Sequence, residues 1–319
     1  MSTLGNPVHW AIFVVFVLAM LALDLGVFHK KAHEVSLKEA GIWSSVWVAL
    51  AGLFGLGLWH WFGSAKAMEF ATGYVIEKAL SVDNIFVFVI IFAAFAIPAV
   101  HQHRILFWGV LGALVMRAAF IAAGAALLQR FHFVIYVFGG LLVVTGAKLL
   151  LAKAEAESDP TRGFVYRWFK KLVPSTDRIQ DGKFWVKANG KWLATPLFAV
   201  LVLVEATDLI FAVDSIPAIF AVTTDPFIVF TSNIFAILGL RSLYFLLAGV
   251  VHKFHYLKPA LAIVLTFVGV KLCLTKIAPI PTGVSLAVVT LLVLGGVVLS
   301  WLRPKREPAA SLPAPAVES

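Results

Sequence analysis

Long apolar runs separated by short basic turns make up most of the 319-residue chain. A helix that crosses the hydrocarbon core needs about 20 mostly apolar residues. Nine stretches meet that need: residues 7–28, 41–62, 68–97, 104–128, 132–151, 196–222, 227–250, 258–277 and 282–302. Only one connection is long, 152–195. Within it, "RGFVYRWFKKL" alternates aromatic and basic residues at helical spacing and predicts an amphipathic helix on an anionic membrane surface. "KFWVKANGKWLAT" sets Asn189-Gly190 between two short β-prone runs, the signal of a tight hairpin. Residues 303–319 are rich in Pro and Ala and are expected to form a disordered cytoplasmic tail.

Composition agrees with the pattern. The chain is 61% hydrophobic and 13% charged, whereas a soluble domain carries roughly 25% charged residues. The expected fold is an all-α polytopic membrane protein, with residues 1–302 as one transmembrane domain. The net charge of +9 does not call for nucleic acid, because most of the basic residues lie between the apolar runs. Assigning successive connections to alternate sides puts 18 Lys and Arg on one side and 3 on the other. The basic side faces the cytoplasm, so the N-terminus is expected outside and the C-terminus inside, in agreement with an odd number of crossings. The single cysteine, Cys273, excludes an intrachain disulfide, and no cleavable signal sequence is expected.

The chain also repeats itself. "EKALSVDNIF" (77–86) and "DLIFAVDSIP" (208–217) share an acid, five residues, then Asp, Asn or Ser, and Ile. Downstream, "LVMRAAF" aligns with "LGLRSLYF" at Arg117 and Arg241, and "TGAKLLL" with "VGVKLCL" at Lys148 and Lys271. The two units, 68–151 and 196–274, hold three helices each. An odd number of crossings turns the second unit upside down, as in the inverted repeats of many transporters. The helices 7–28, 41–62 and 282–302 are accessory to the two units.

The charges inside these runs need an explanation. Five acids (Glu77, Asp83, Glu205, Asp208 and Asp214) and five bases (Lys78, Arg117, Lys148, Arg241 and Lys271) lie at membrane depth. Each charge costs about 2.5–3.5 kcal/mol at a helix centre, or about 25–35 kcal/mol for ten left unpaired. The bases read as charge-pairing groups, with Lys148 and Lys271 near helix ends where they can snorkel. The acids read as a functional site, since buried ion pairs stabilise less than apolar packing. Asp83 is six residues from Glu77, and Asp214 six from Asp208. On an ideal helix these pairs point about 120° apart. Their convergence predicts unwinding between them, helped by Pro217. Asn84, Ser215, Ser232 and Asn233 add neutral oxygens. Carboxylates, amides and hydroxyls without thiols suit a hard cation such as Mn²⁺, Mg²⁺ or Ca²⁺. The nine histidines all lie near segment ends. Several carboxylates around one divalent ion imply proton exchange when the ion leaves.

"EKALSVDNIFVF", "EATDLIFAVDSIPAIFAVT" and "TSNIFAILGLRSLYFLLAG" resemble the TerC family of bacterial integral membrane proteins, and the layout resembles its Alx-like branch. The resemblance covers about residues 8–300. It implies a manganese exporter of the inner membrane, related to LysE-type transporters, with Glu77, Asp83, Glu205, Asp208 and Asp214 at the metal site. It also carries a historical link to tellurite resistance. Glu205 aligns with Tyr74 of the first unit, breaks the symmetry, and is expected to be an extra metal ligand or the proton carrier. The competing expectations are a non-transporting scaffold of a metal-stress or tellurite-resistance complex, and an exporter of another hard cation such as Ca²⁺. HExxH, GxSxG and GxxxxGK[ST] are absent, so neither an enzyme nor an ATP-driven pump is expected. No resident cofactor is expected.

Overall fold

In the computed structural model of the chain, helices stand at every one of the apolar stretches. The structure describes residues 4–26, 35–131, 133–151, 160–180, 182–188, 190–249 and 254–303. The predicted tail beyond Arg303 and Asn189 of the predicted turn lie outside them. The helices are α1 (Pro7–Gly26), α2 (Leu37–Phe62), α3 (Ser64–Ala94), α4 (Ala99–Arg130) and α5 (Val134–Leu151), then α6 (Phe164–Leu172), α7 (Pro196–Phe220), α8 (Pro226–Leu238), α9 (Leu240–Leu247), α10 (Leu257–Leu274) and α11 (Thr282–Leu302).

Among the described residues, seven spans are long and apolar enough to cross a membrane: α2, α4, α5, α7, α8 with α9, α10 and α11. Residues Pro7–Leu23 of α1 form a shorter apolar helix. α3 is not among the seven, although it is 31 residues long. Lys66, Glu69, Glu77, Lys78 and Asp83 are spread along it so that every 18-residue stretch holds at least three charges, where α4 and α7 have stretches with two or fewer. The chain is thus an all-α polytopic membrane protein with seven or eight candidate membrane helices.

α8 and α9 form the centre. Their span is 89% buried by protein, against 17% for α2 and α11. Lipid and water would therefore meet mostly the outer helices, whose exposed Leu, Val and Trp side chains suit hydrocarbon. On one side of α8, Phe13, Phe54, Phe70, Phe227 and Phe235 from α1, α2, α3 and α8 pack edge to face or tilted. α8 starts at Asp225, whose Oδ1 accepts from Phe227 N at 3.0 Å and whose Oδ2 accepts from Leu4 N at 2.8 Å.

α3 packs on α7 and α8, α4 packs on α7 and α8, and α5 packs along α10. Glycines set the last contact. A Cβ at Gly269 would lie 2.7 Å from Gly139 O, and one at Gly146 would lie 2.7 Å from Ala262 O. Small residues let these two backbones approach as larger ones could not.

Three sequence expectations on backbone geometry meet different outcomes. The hairpin forms: β1 (Trp185–Ala188) pairs antiparallel with β2 (Lys191–Ala194), Ala188 opposite Lys191, and Gly190 takes φ +76° in the turn. α6 also forms, leaving Phe164, Trp168 and Leu172 exposed along one stripe and Phe169 buried. The unwinding between paired acids does not. α3 runs unbroken through Glu77 and Asp83, and α7 through Asp208, Asp214 and Pro217. Pro217 stands in the last turn of α7, and the helix closes past it with Ala221 N on Pro217 O at 3.0 Å. The break falls instead in the 227–250 stretch, at Gly239 between α8 and α9.

Candidate functional site

The centre of the site is an arginine. Arg117 projects from α4 and is 1% exposed, as is Glu77; Asp208 is 3% exposed. Arg117 Nε donates to Asp208 Oδ2 at 3.2 Å and Nη2 donates to Oδ1 at 2.8 Å, a two-point fork. Nη1 donates to Glu77 Oε1 and to Asn233 Oδ1, the latter at 3.1 Å. Asn233 Nδ2 returns a bond to Glu77 Oε2 at 3.1 Å, and Asn84 Nδ2 donates to Asp208 Oδ1 at 3.4 Å. One guanidinium thus ties α3, α4, α7 and α8 together. It compensates one of the two charges that Glu77 and Asp208 carry when ionised.

Beside it lies a cavity of about 120 Å³, room for a few waters at roughly 30 Å³ each. Its polar lining is Glu77, Asp83, Asn84, Arg117, Thr145, Asp214 and Ser215. Thr145 of α5 donates to Asp214 Oδ1 at 3.0 Å. Lys258, at the start of α10, is the charged neighbour of Asp83. Both acids of the first motif therefore reach one cavity from an intact helix. The cavity spans the arc between them, so no unwinding is needed. Its oxygen donors come from α3, α5 and α7, and α4 adds the Arg117 guanidinium.

Not every expected residue joins. Asp208 reaches the arginine without lining the cavity. Glu205 turns toward α4, and its carboxylate fills the space that a Cβ on Gly112 would take; its Oε2 is buried without a hydrogen-bond partner. Ser232 bonds its own helix at Val229 O, 3.2 Å, and packs against Gly73.

The bases divide. Lys78 Nζ donates to Ala236 O at 3.4 Å, and a Cβ on Gly239 would come within 2.6 Å of it. A lysine thus covers carbonyls at the break between α8 and α9, where the end of a helix favours a cation. Lys148 is exposed on α5. Lys271 is 7% exposed, with Glu69 as its charged neighbour. Glu69 also accepts from Lys66 at 2.8 Å and from Thr223 at 2.6 Å. Arg241 is 7% exposed on α9. Arg117 ion-pairs with both Glu77 and Asp208. Among the described residues, no three or more His, Cys, Asp or Glu side chains stand together as a ready metal cage.

Sequence reasoning missed Thr145, Lys258 and Gly112. Thr145 left one faint signal, a hydroxyl in an apolar run where the aligned residue of the second unit is Val268. Gly112 and Lys258 left none.

The sequence profile of the TerC family of integral membrane proteins matches residues 62–308. An uncharacterised membrane protein of Myxococcus xanthus, STKORF319, is 55% identical over 315 residues, covering 99% of this chain and 98% of its own. Alx proteins, whose name presents them as candidate membrane-bound redox modulators, are similar over nearly their whole length. That of Photorhabdus laumondii is 47% identical over 313 residues, covering 95% of this chain and 97% of its own. That of Escherichia coli K12 is 46% identical over 312 residues, with the same coverage. No solved structure matches. With most of its length inside the profile, the chain belongs to the TerC family of integral membrane proteins.

Proposed function

We propose that the chain is a secondary transporter that exports a hard divalent cation, Mn²⁺ first among them, across the bacterial inner membrane in exchange for protons. The observation that carries this reading is the polar cavity at membrane depth, where Glu77 and Asp83 of the first motif face Asp214 and Ser215 of the second. Carboxylate, amide and hydroxyl oxygens suit Mn²⁺, Mg²⁺ or Ca²⁺, and intramembrane acids mark ion pathways. The choice of Mn²⁺ and of export rests on the TerC resemblance.

The reading includes nine crossings with α3 as one of them, the N-terminus outside, and an inverted repeat. Helix packing supports the repeat. α3 packs on α8 as its aligned partner α7 packs on α4. With Lys148 aligned to Lys271, Gly139 matches Ala262 and Gly146 matches Gly269. Gly139 approaches Gly269, and Gly146 approaches Ala262. Exchanging the two units turns each contact into the other, as a pseudo-two-fold axis requires. The order also runs oppositely along α5 and α10, which suits an axis in the membrane plane.

One observation favours a second reading. Arg117 places four N–H donors on Glu77, Asp208 and Asn233, a geometry that would equally hold together a non-transporting scaffold. The redox role in the names of the Alx relatives would not run through an intrachain dithiol here, since Cys273 is the only cysteine. Reconstitution separates transport from scaffold. Under an imposed pH gradient, vesicles containing the wild-type protein should move Mn²⁺, and Asp214→Asn, which keeps shape and leaves the arginine network intact, should slow them at least tenfold. Wild-type flux no greater than that of protein-free vesicles would reject transport.

A further inference from the structure

We propose that Arg117 is a tethered counter-cation that competes with the transported ion for Glu77 and Asp208. This inference rests on the transport reading above. The guanidinium lies between one acid of each motif and also lines the cavity in which Asp83, Asp214, Asn84 and Ser215 stand. An ion held by those cavity residues is next to the arginine. Three of the four carboxylate oxygens of Glu77 and Asp208 accept from Arg117 and the fourth, Glu77 Oε2, from Asn233, so an ion that gains both acids as ligands competes chiefly with the guanidinium. Two cations drawing on the same two carboxylates also repel each other at that distance, so loading the ion weakens the hold on the guanidinium, and the guanidinium weakens the hold on the ion.

The exchange has a direct consequence for turnover. A carrier that has delivered its ion must reset with its carboxylates compensated, because buried charges without partners are strongly disfavoured. Arg117 supplies that compensation from within the chain. Its positive charge is permanent, so the Mn²⁺-free carrier returns with Glu77 and Asp208 paired, and the protons of the exchange go to the remaining acids of the site. Gly112, five residues earlier on α4, accommodates Glu205, whose Oε2 has no hydrogen-bond partner.

The test uses Mn²⁺ itself with Arg117→Gln and Arg117→Lys, purified whole and reconstituted. Binding is measured by calorimetry in detergent. Flux is measured in two modes: tracer exchange with equal Mn²⁺ on both sides, and net flux into Mn²⁺-free vesicles. Removal of a competing cation should tighten Mn²⁺ binding in Arg117→Gln by at least about fivefold, the lower end of usual coupling between linked ligands. Exchange should persist, because the ion-loaded carrier still crosses. Net flux should fall to the protein-free level, because the ion-free carrier cannot reset. Arg117→Lys keeps a point charge without the fork and should lie between wild type and Arg117→Gln in both readouts. If Arg117→Gln does not fold, Arg117→Lys decides, and binding tighter than wild type supports the proposal. Binding unchanged or weaker in the folded variants, net flux retained in Arg117→Gln, or exchange and net flux lost together would overturn it and leave Arg117 a structural strut. Wild-type protein that neither binds nor moves Mn²⁺ would instead overturn the transport reading, and this proposal with it.

Discussion

Gly269→Ala is the sharpest probe of how the two units meet. Its new Cβ would lie 2.7 Å from Gly139 O and 2.9 Å from Leu142 Cβ and Val143 Cγ2. The nearest atom is backbone, so no rotamer change relieves it; α5 and α10 must separate. Overpacking of this kind costs ~1–3 kcal/mol. Gly140→Ala is the matched control on α5, since a Cβ there meets nothing within 4 Å. Both changes gain the same helix propensity, ~0.5–1 kcal/mol, so their difference isolates the packing cost. Denaturant unfolding in detergent micelles should place Gly269→Ala ~1–3 kcal/mol below Gly140→Ala. Gly139→Ala should resemble Gly269→Ala, and the double variant should lose less than the sum, because both alanines force the same separation. Equal stability of Gly269→Ala and Gly140→Ala would refute the close crossing, and with it the main packing support for the inverted repeat.

Other consequences are open to equally direct measurement. Thr145→Val conserves shape and removes the hydroxyl that donates to Asp214; it should leave the unfolding midpoint nearly unchanged and shift the Mn²⁺ concentration for half-maximal flux several-fold. The orientation predicts that, in a Cys273→Ser background, Asp177→Cys is labelled by an impermeant maleimide only in inverted vesicles and Lys276→Cys only in spheroplasts. The opposite pattern would overturn the proposed orientation. Outside the membrane helices, Asp177 hydrogen-bonds Lys170 and raises its pKa above the ordinary lysine value. The contact therefore contributes fully below that ordinary value and is lost as pH rises through the raised one. Asp177 is 90% exposed, so Asp177→Asn should cost under ~1 kcal/mol and show no pH dependence between 6 and about 9.

Much of this architecture was legible in the chain because membrane depth imposes a simple rule on length and polarity. α2, α5 and α11 end within a few residues of the apolar runs that predict them, and the Asn-Gly signal gives the hairpin. What the pattern could not show was how the helices sit against one another. The 120° between Glu77 and Asp83 is correct, yet it did not require unwinding, because the cavity is wide enough for both. Pro217 resembles a helix breaker but stands in the last turn of α7. Gly239, an inconspicuous glycine in an apolar run, marks the real break, and Lys78, from 161 positions earlier in the chain, lies beside it. The partners of Arg117 were beyond local reading for the same reason, lying 40, 91 and 116 residues away. Glu205 stood out because it lacks a counterpart, and it does differ from the other acids. Its carboxylate faces Gly112, and only packing reveals that.

The central claim is that acids of both motifs hold one divalent cation in the cavity beside Arg117. Anomalous diffraction from crystals grown with Mn²⁺ tests it most directly. The account predicts a single strong peak among Glu77, Asp83, Asp214 and Ser215, lost in Asp214→Asn. An ordered cavity with no peak at saturating Mn²⁺, or a peak bound by residues of only one motif, would contradict it.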